Sequence, residues 1–160
     1  MKSKKFTQWG TLMIAILFPL AFLFTRKLIK SSLANGLEFD LLFFLTVIFV
    51  ICLLVFYKLT IIINSKTVSF KLGIGLFGKS YNISDIKSCR PVSNSVLDGI
   101  GIRMLSNGWL YNLSGLKAIE LQFKSRKSIV RIGTNQPEEI SQVIQSLIKD
   151  EEIVSDKIEQ

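Results

Sequence analysis

Histidine is absent from the 160 residues, and with it go imidazole general-base catalysis, Ser-His nucleophile pairs and histidine metal ligation. Cysteine occurs only as Cys52 and Cys89, too few for a structural zinc site and too separated for a plausible intrachain disulfide. Such usage is compatible with a reducing cytoplasm. Carboxylates are scarce through the middle of the chain. Between residues 58 and 135 they are Asp85, Asp98 and Glu120 alone, and no spacing brings two together as an acid-base pair. Asp85, within Ser84-Asp85-Ile86, reads as a turn or strand-end residue. These scarcities lead us to expect no enzyme, no catalytic residue, no metal and no cofactor. The run Gly73-Ile74-Gly75-Leu76-Phe77-Gly78 has the spacing of a dinucleotide-binding loop. That chemistry needs a helix N-terminus after the glycines, and the residues after Gly78 have strand character, so the run is read as a loop between strands.

What the chain does have is apolar sequence concentrated in two blocks. Phe6 to Thr25 carries no charge, and as a helix rising about 1.5 Å per residue these residues would extend roughly 30 Å, the thickness of a hydrocarbon core. Leu41 to Tyr57 is likewise uncharged, shorter but sufficient. A cleaved signal peptide is the alternative for the first block, since Lys2, Lys4 and Lys5 precede it and Ser32-Leu33-Ala34 resembles a cleavage site. Against it stand the length of the block and the basic Arg26, Lys27 and Lys30 before that site. The expectation is therefore a transmembrane hairpin with helices at about 6–25 and 41–57, a kink at Pro19, and residues 26 to 40 as the connector. Six basic residues flank the outer ends (Lys2, Lys4, Lys5, Lys58, Lys66, Lys71) against three in the connector. The positive-inside rule then places both termini in the cytoplasm of a multi-pass protein of the inner cell membrane.

Beyond Tyr57 the pattern changes to short β-type runs with turn residues between them. Strands are expected at Lys58–Ile63, Thr67–Leu72, within Lys79–Cys89, and at Ile100–Leu105, Trp109–Leu113, Lys117–Lys124 and Ser128–Ile132, with Pro91 to Asp98 as a loop. Ile119, Leu121 and Phe123 alternate with Glu120, Gln122 and Lys124, so one face of that strand is buried and the other wet. Asn135 with Glu138 resembles a capping box, Pro137 suits a first turn, and Ile140, Val143, Ile144, Leu147 and Ile148 recur at helical spacing. The division expected is 1–57 for tail and hairpin, 58–149 for one domain, and 150–160 for an acidic flexible tail. Charge is +4 over residues 1 to 57, +9 over residues 58 to 135 and −5 from residue 136 onward, so a basic domain ends in an acidic segment that starts with its last helix.

Seven short strands closed by one amphipathic helix describe an α+β, mainly antiparallel barrel or sandwich. Together with the helix pair, the run Gly101-Ile102-Arg103, Gly108-Trp109, Gly115 and Arg131-Ile132-Gly133-Thr134 before Pro137-Glu138 resembles bacterial membrane proteins that carry a pleckstrin-homology-like domain. The resemblance implies a fold and a membrane-side location. It departs from phosphoinositide-binding relatives, which have a basic signature between the first two strands where this chain offers only Lys66, and a tryptophan in the last helix where this chain has none.

The densest positive cluster is the turn Lys124, Arg126, Lys127 with Arg131 on the next strand, and these four are the candidate lipid- or partner-binding residues. Anionic headgroups attract basic residues held near the cytoplasmic surface. Trp109 and Tyr111 share a face, read as core. Aromatic and basic residues are not interleaved along the sequence, which argues against a nucleic-acid partner. The functional expectation is a non-catalytic binding or scaffold module at the cytoplasmic membrane face, a partner of another membrane protein, with an electrostatic sensor of anionic lipid as the alternative.

Overall fold

A computed structural model describes residues 3–35, 41–95 and 101–158. Within these residues lie nine strands and three α-helices: β1 (Lys4–Trp9), α1 (Thr11–Asn35), α2 (Leu41–Phe56), β2 (Lys58–Ile63), β3 (Thr67–Leu72), β4 (Phe77–Asn82), β5 (Ile86–Ser93), β6 (Gly101–Leu105), β7 (Gly108–Asn112), β8 (Lys117–Phe123), β9 (Ile129–Gly133) and α3 (Pro137–Ile158). The strands form two sheets, ordered β1-β2-β3-β4 and β5-β8-β9-β7-β6. Among the described residues, all pairings are antiparallel except β7 with β9.

The first sheet begins before the helices. Lys4–Trp9 pairs along its length with β2, Phe6 opposite Ile61 and Trp9 opposite Lys58, and turns Phe6 and Gln8 inward. The expected tail and the start of the first helix at about residue 6 are thus a strand of the domain, and the domain does not begin at residue 58. Gly10 makes the transition: its N–H donates to the Tyr57 carbonyl at 2.9 Å, its own carbonyl accepts from Ile14, and a Cβ here would run into the Phe56 carbonyl. The helix starts only there. It then continues past Thr25 through Arg26, Lys27 and Lys30 to Asn35, where a connector was expected. No glycine or proline interrupts residues 20 to 35, and Leu, Lys, Arg and Ala all favour the helix.

α1 is long and apolar enough to cross a membrane, whereas α2 is apolar but has 16 residues, about 24 Å of helix. The two pack side by side, with Phe24 stacked on Phe49 at 5.1 Å between ring centroids. Their outward side chains, among them Phe18, Phe22, Leu23, Phe44 and Ile51, are exposed. β1 and β2 continue directly from this helix pair, so residues 4–9 and 58–63 lie at the same end of it.

The expected strand over Lys79–Cys89 breaks at a 3₁₀ turn, Ile83–Asp85, into edge strands of different sheets. β5 then runs on through Pro91 to Ser93, where a loop was expected. It is an outer strand of its sheet, the position that tolerates a residue without an N–H. Between the sheets lie Leu59, Ile61, Val68, Phe70, Leu72, Cys89, Tyr111, Ile119, Leu121 and Ile132, all buried, with the Phe70 and Tyr111 rings 4.4 Å apart. α3 packs its Ile140, Ile144, Leu147 and Ile148 stripe over β5 and β8, and Gln145 donates to the Cys89 carbonyl at 2.7 Å. The acidic segment beyond Asp150, expected as a flexible tail, continues this helix to Ile158, since no glycine or proline occurs after Pro137.

Candidate functional site: a cationic and aromatic cleft at one end of the sandwich

α3 covers the β5 and β8 side of the sandwich, and the opposite side stays open. There β4 edges one sheet and β6 the other. Phe77, Lys79 and Tyr81 pair with Leu72, Phe70 and Val68, whose side chains lie in the core, so the three share the inward face of β4. By the same register Met104 pairs with Trp109 and Ile102 with Tyr111, on the inward face of the second sheet. Past the end of the packed core, Met104 and Trp109 remain exposed, at 78% and 42%, while Tyr111 is buried. The expectation of a core face at Trp109 and Tyr111 therefore holds for Tyr111, and Trp109 lines an open cleft.

The cleft has a volume of about 570 Å³ and is walled by Lys79, Tyr81, Met104, Trp109, Arg126 and Lys127. The Lys79 ammonium lies 5.7 Å from the Trp109 ring centre and 5.8 Å from that of Tyr111. The Arg126 guanidinium sits 3.8 Å over Phe123 and 5.7 Å from the Tyr81 ring, within cation-π range. On the far side of the same turn a second depression of about 500 Å³ adds Lys87 and Lys124. Among the described residues, no carboxylate lines either hollow. Burial, with the neighbouring Tyr111, pushes the Tyr81 phenol up against the opposing pull of Arg126, so it stays protonated at neutral pH and can donate a hydrogen bond. Cys89, buried beneath the sheet, has its thiol pushed up to about 12 by desolvation and is held as an unreactive thiol.

The structure brings together Lys124, Arg126 and Lys127 of the four candidate residues. Arg131 goes elsewhere. It lies directly opposite Glu120 on β8, and Glu120 is opposite Arg90 on β5. Arg131 Nε donates to Glu120 Oε2 at 2.9 Å, and Arg90 donates to Oε1 through Nε at 2.9 Å and Nη2 at 2.7 Å. Burial alone would raise the Glu120 pKa, but the hydrogen bonds from Arg131, Arg90 and Gln122 outweigh it and hold the carboxyl below its ordinary value. Arg131 thus neutralises a buried carboxylate, a structural role. In its place the fold supplies Lys79 and Lys87, with Tyr81 and Trp109 as aromatic faces. The sequence signal for Lys79 was a lysine at an inward register position of β4, legible only once the strand pairing is known. Aromatic and basic residues separate along the chain therefore interleave in space.

The cleft and the turn lie away from the helices. The loop before β8 touches the root of α1, where Gln8 donates to the Ser114 carbonyl and the Thr11 and Ser114 hydroxyls are 3.1 Å apart. β8 then runs from Lys117 to Phe123, roughly 20 Å at about 3.3 Å per residue, before reaching Lys124. Among the described residues, no group of three His, Cys, Asp or Glu side chains comes together to hold a metal ion. No family model, curated protein or solved structure matches the chain.

Proposed function

We propose that the protein is a non-catalytic binding module anchored in the inner membrane by α1 and α2, with both termini and the domain in the cytoplasm. Its cleft takes an acidic segment of a partner protein that also carries aromatic or long apolar side chains. The observation that carries this reading is the composition of the cleft and its neighbouring hollow, five cations (Lys79, Lys87, Lys124, Arg126, Lys127) with exposed Trp109 and Met104 and, among the described residues, no carboxylate in the lining of either. Lys124 reaches Glu152 of α3, outside both hollows, at 4.0 Å. Such a surface attracts anions by charge and offers apolar faces that reward burial, the pairing found at protein-binding hot spots. Two antiparallel-rich sheets and a C-terminal helix agree with a pleckstrin-homology-like architecture, although the parallel β7-β9 pair departs from a simple meander.

Distance favours a partner over the anchoring bilayer. The turn at Lys124 to Lys127 stands roughly 20 Å along β8 from the helix roots, while attraction to a charged surface is screened over about 8–10 Å at near-physiological salt. The test is a titration of the detergent-solubilised chain, with Trp9→Phe so that Trp109 is the remaining tryptophan, using synthetic peptides that contain Glu and Phe in one set and Gln and Phe in the other. Saturable quenching or blue-shift of Trp109 by the acidic set, weakened at least tenfold by K124Q/R126Q/K127Q, is expected. Equal response to both sets, or none to either, would defeat the reading. A response to anionic vesicles in place of the acidic peptides would move the assignment to lipid.

A further inference from the structure

The β3-β4 loop exposes Ile74 and Leu76 at 59% and 64%, and Phe77, the first residue of β4, is 53% exposed beside them, three large apolar side chains within four positions. Its backbone is fastened to the last turn of α2. Gly73 donates to the Lys58 carbonyl at 2.7 Å, Ile74 to the Leu54 carbonyl at 3.3 Å, and Gly75 back to Leu72 at 2.8 Å. Leu54 is among the last four residues of α2, whose carbonyls lack partners within the helix, so the loop caps the end of α2 while lying alongside it. Gly73 has φ of +55°, and a Cβ there would collide with the backbone at Leu54 and Val55, so the close approach depends on glycine.

Resting on the membrane-anchor reading above, we infer that this loop inserts into the hydrocarbon layer beside the helix pair as a third membrane contact, its occupant the acyl chains of the bilayer. The loop is continuous with the lipid-facing surface of the helices. Ile74 joins Ile14, Phe18, Leu53, Leu54 and Tyr57 in lining one apolar groove of about 310 Å³, so the exposed loop is an extension of the exposed helix surface. Trp9 and Tyr57, with rings 6.1 Å apart, and Lys58, whose ammonium lies 5.0 Å from the Tyr57 ring, mark the same level, the residue types that gather at a membrane-water interface. Leu116, 44% exposed, belongs to the loop that touches Thr11 at the root of α1. Apolar side chains therefore flank the helix pair beside both helices. The loop also answers the shortness of α2, whose roughly 24 Å falls below a hydrocarbon core of about 30 Å. Apolar surface placed beside its end lets the domain sit against the bilayer without a polar gap.

The experiment uses the full chain in liposomes, with Cys52 and Cys89 replaced by alanine. An environment-sensitive fluorophore is attached at a single cysteine introduced as Leu76→Cys, Leu23→Cys or Ser65→Cys, and lipids bearing a nitroxide, in one set high on the acyl chain and in another near its end, act as quenchers. Quenching at positions 76 and 23, with position 65 at the opposite end of β3 showing several-fold less, is the result expected. Quenching at 23 but not at 76 overturns the loop insertion and leaves the anchor standing. Absence of quenching at 23 overturns the anchor, and the loop insertion with it.

Discussion

Replacing Phe6 with alanine separates two accounts of the N-terminal residues. As part of a tail or of a lipid-facing helix, Phe6 would be surrounded by solvent or acyl chains, and its truncation would leave the domain's stability unchanged within about 0.5 kcal/mol. As the structure places it, Phe6 is 8% exposed, pairs across β1-β2 with the fully buried Ile61, and belongs to the core between the sheets. Truncating a buried phenylalanine costs about 3–5 kcal/mol. β1 is an edge strand with room to relax, so we take the lower end, about 3 kcal/mol, which is about a hundredfold in the folding equilibrium. Thr7, on the outward face of the same strand, is the control, and Thr7→Ala should cost under about 1 kcal/mol. The assay is urea unfolding of the full chain in mild detergent, followed by Trp109 fluorescence in a Trp9→Phe background, since Trp109 reports on the second sheet and not on the helices. A Phe6→Ala loss below about 0.5 kcal/mol would refute β1 as a core strand.

Glu120→Gln should cost about 2 kcal/mol at neutral pH, less than the 3–5 typical of a fully buried pair because Arg90 is largely exposed. The Glu120 carboxyl is held below its ordinary value in the folded state. Its contribution is therefore present above the unfolded carboxylate pKa and disappears as pH falls through the folded one. The gap between wild type and E120Q in urea titrations should close in acid, and a gap independent of pH would show that the ion pairs do not set it. For topology, a cysteine at position 35 should react with an impermeant maleimide added outside spheroplasts, and one at position 155 only after permeabilisation. Labelling at 155 alone would reverse the orientation.

Local pattern carried much of the domain. β2, β3, β6, β7, β8 and β9 fall within a residue of the runs read in the sequence, because short β-type runs bounded by turn residues mark strands. The wet face expected at Glu120, Gln122 and Lys124 is not one, since Glu120 is 1% exposed beneath Arg90 and Arg131. The α3 stripe is legible from its period of 3.6, and each of its four deeply placed apolar residues is buried. Segments where local pattern and tertiary pairing diverge were read less well. Phe6-Thr7-Gln8-Trp9 has no charge and joins an apolar run, so composition extends the helix backward; β2, which lies about fifty positions later in the chain, recruits it into a sheet. Pro91 marks a loop by composition, and only the outer position of β5 makes it a strand residue.

The candidate site divides in the same way. That Lys124, Arg126 and Lys127 crowd one turn is a property of adjacent residues, and the sequence alone determined it, together with the absence of imidazole chemistry and the presence of an apolar segment long enough to cross a bilayer. Tertiary structure alone decided that Arg131 is taken by Glu120, that Lys79, Tyr81 and Trp109 join the turn to form a cleft, and that this cleft faces away from the helix roots. Each of these depends on which strands are neighbours and in what register. Strand pairing is a long-range choice, settled by how the whole set of apolar faces is buried at once, so no window of sequence contains it.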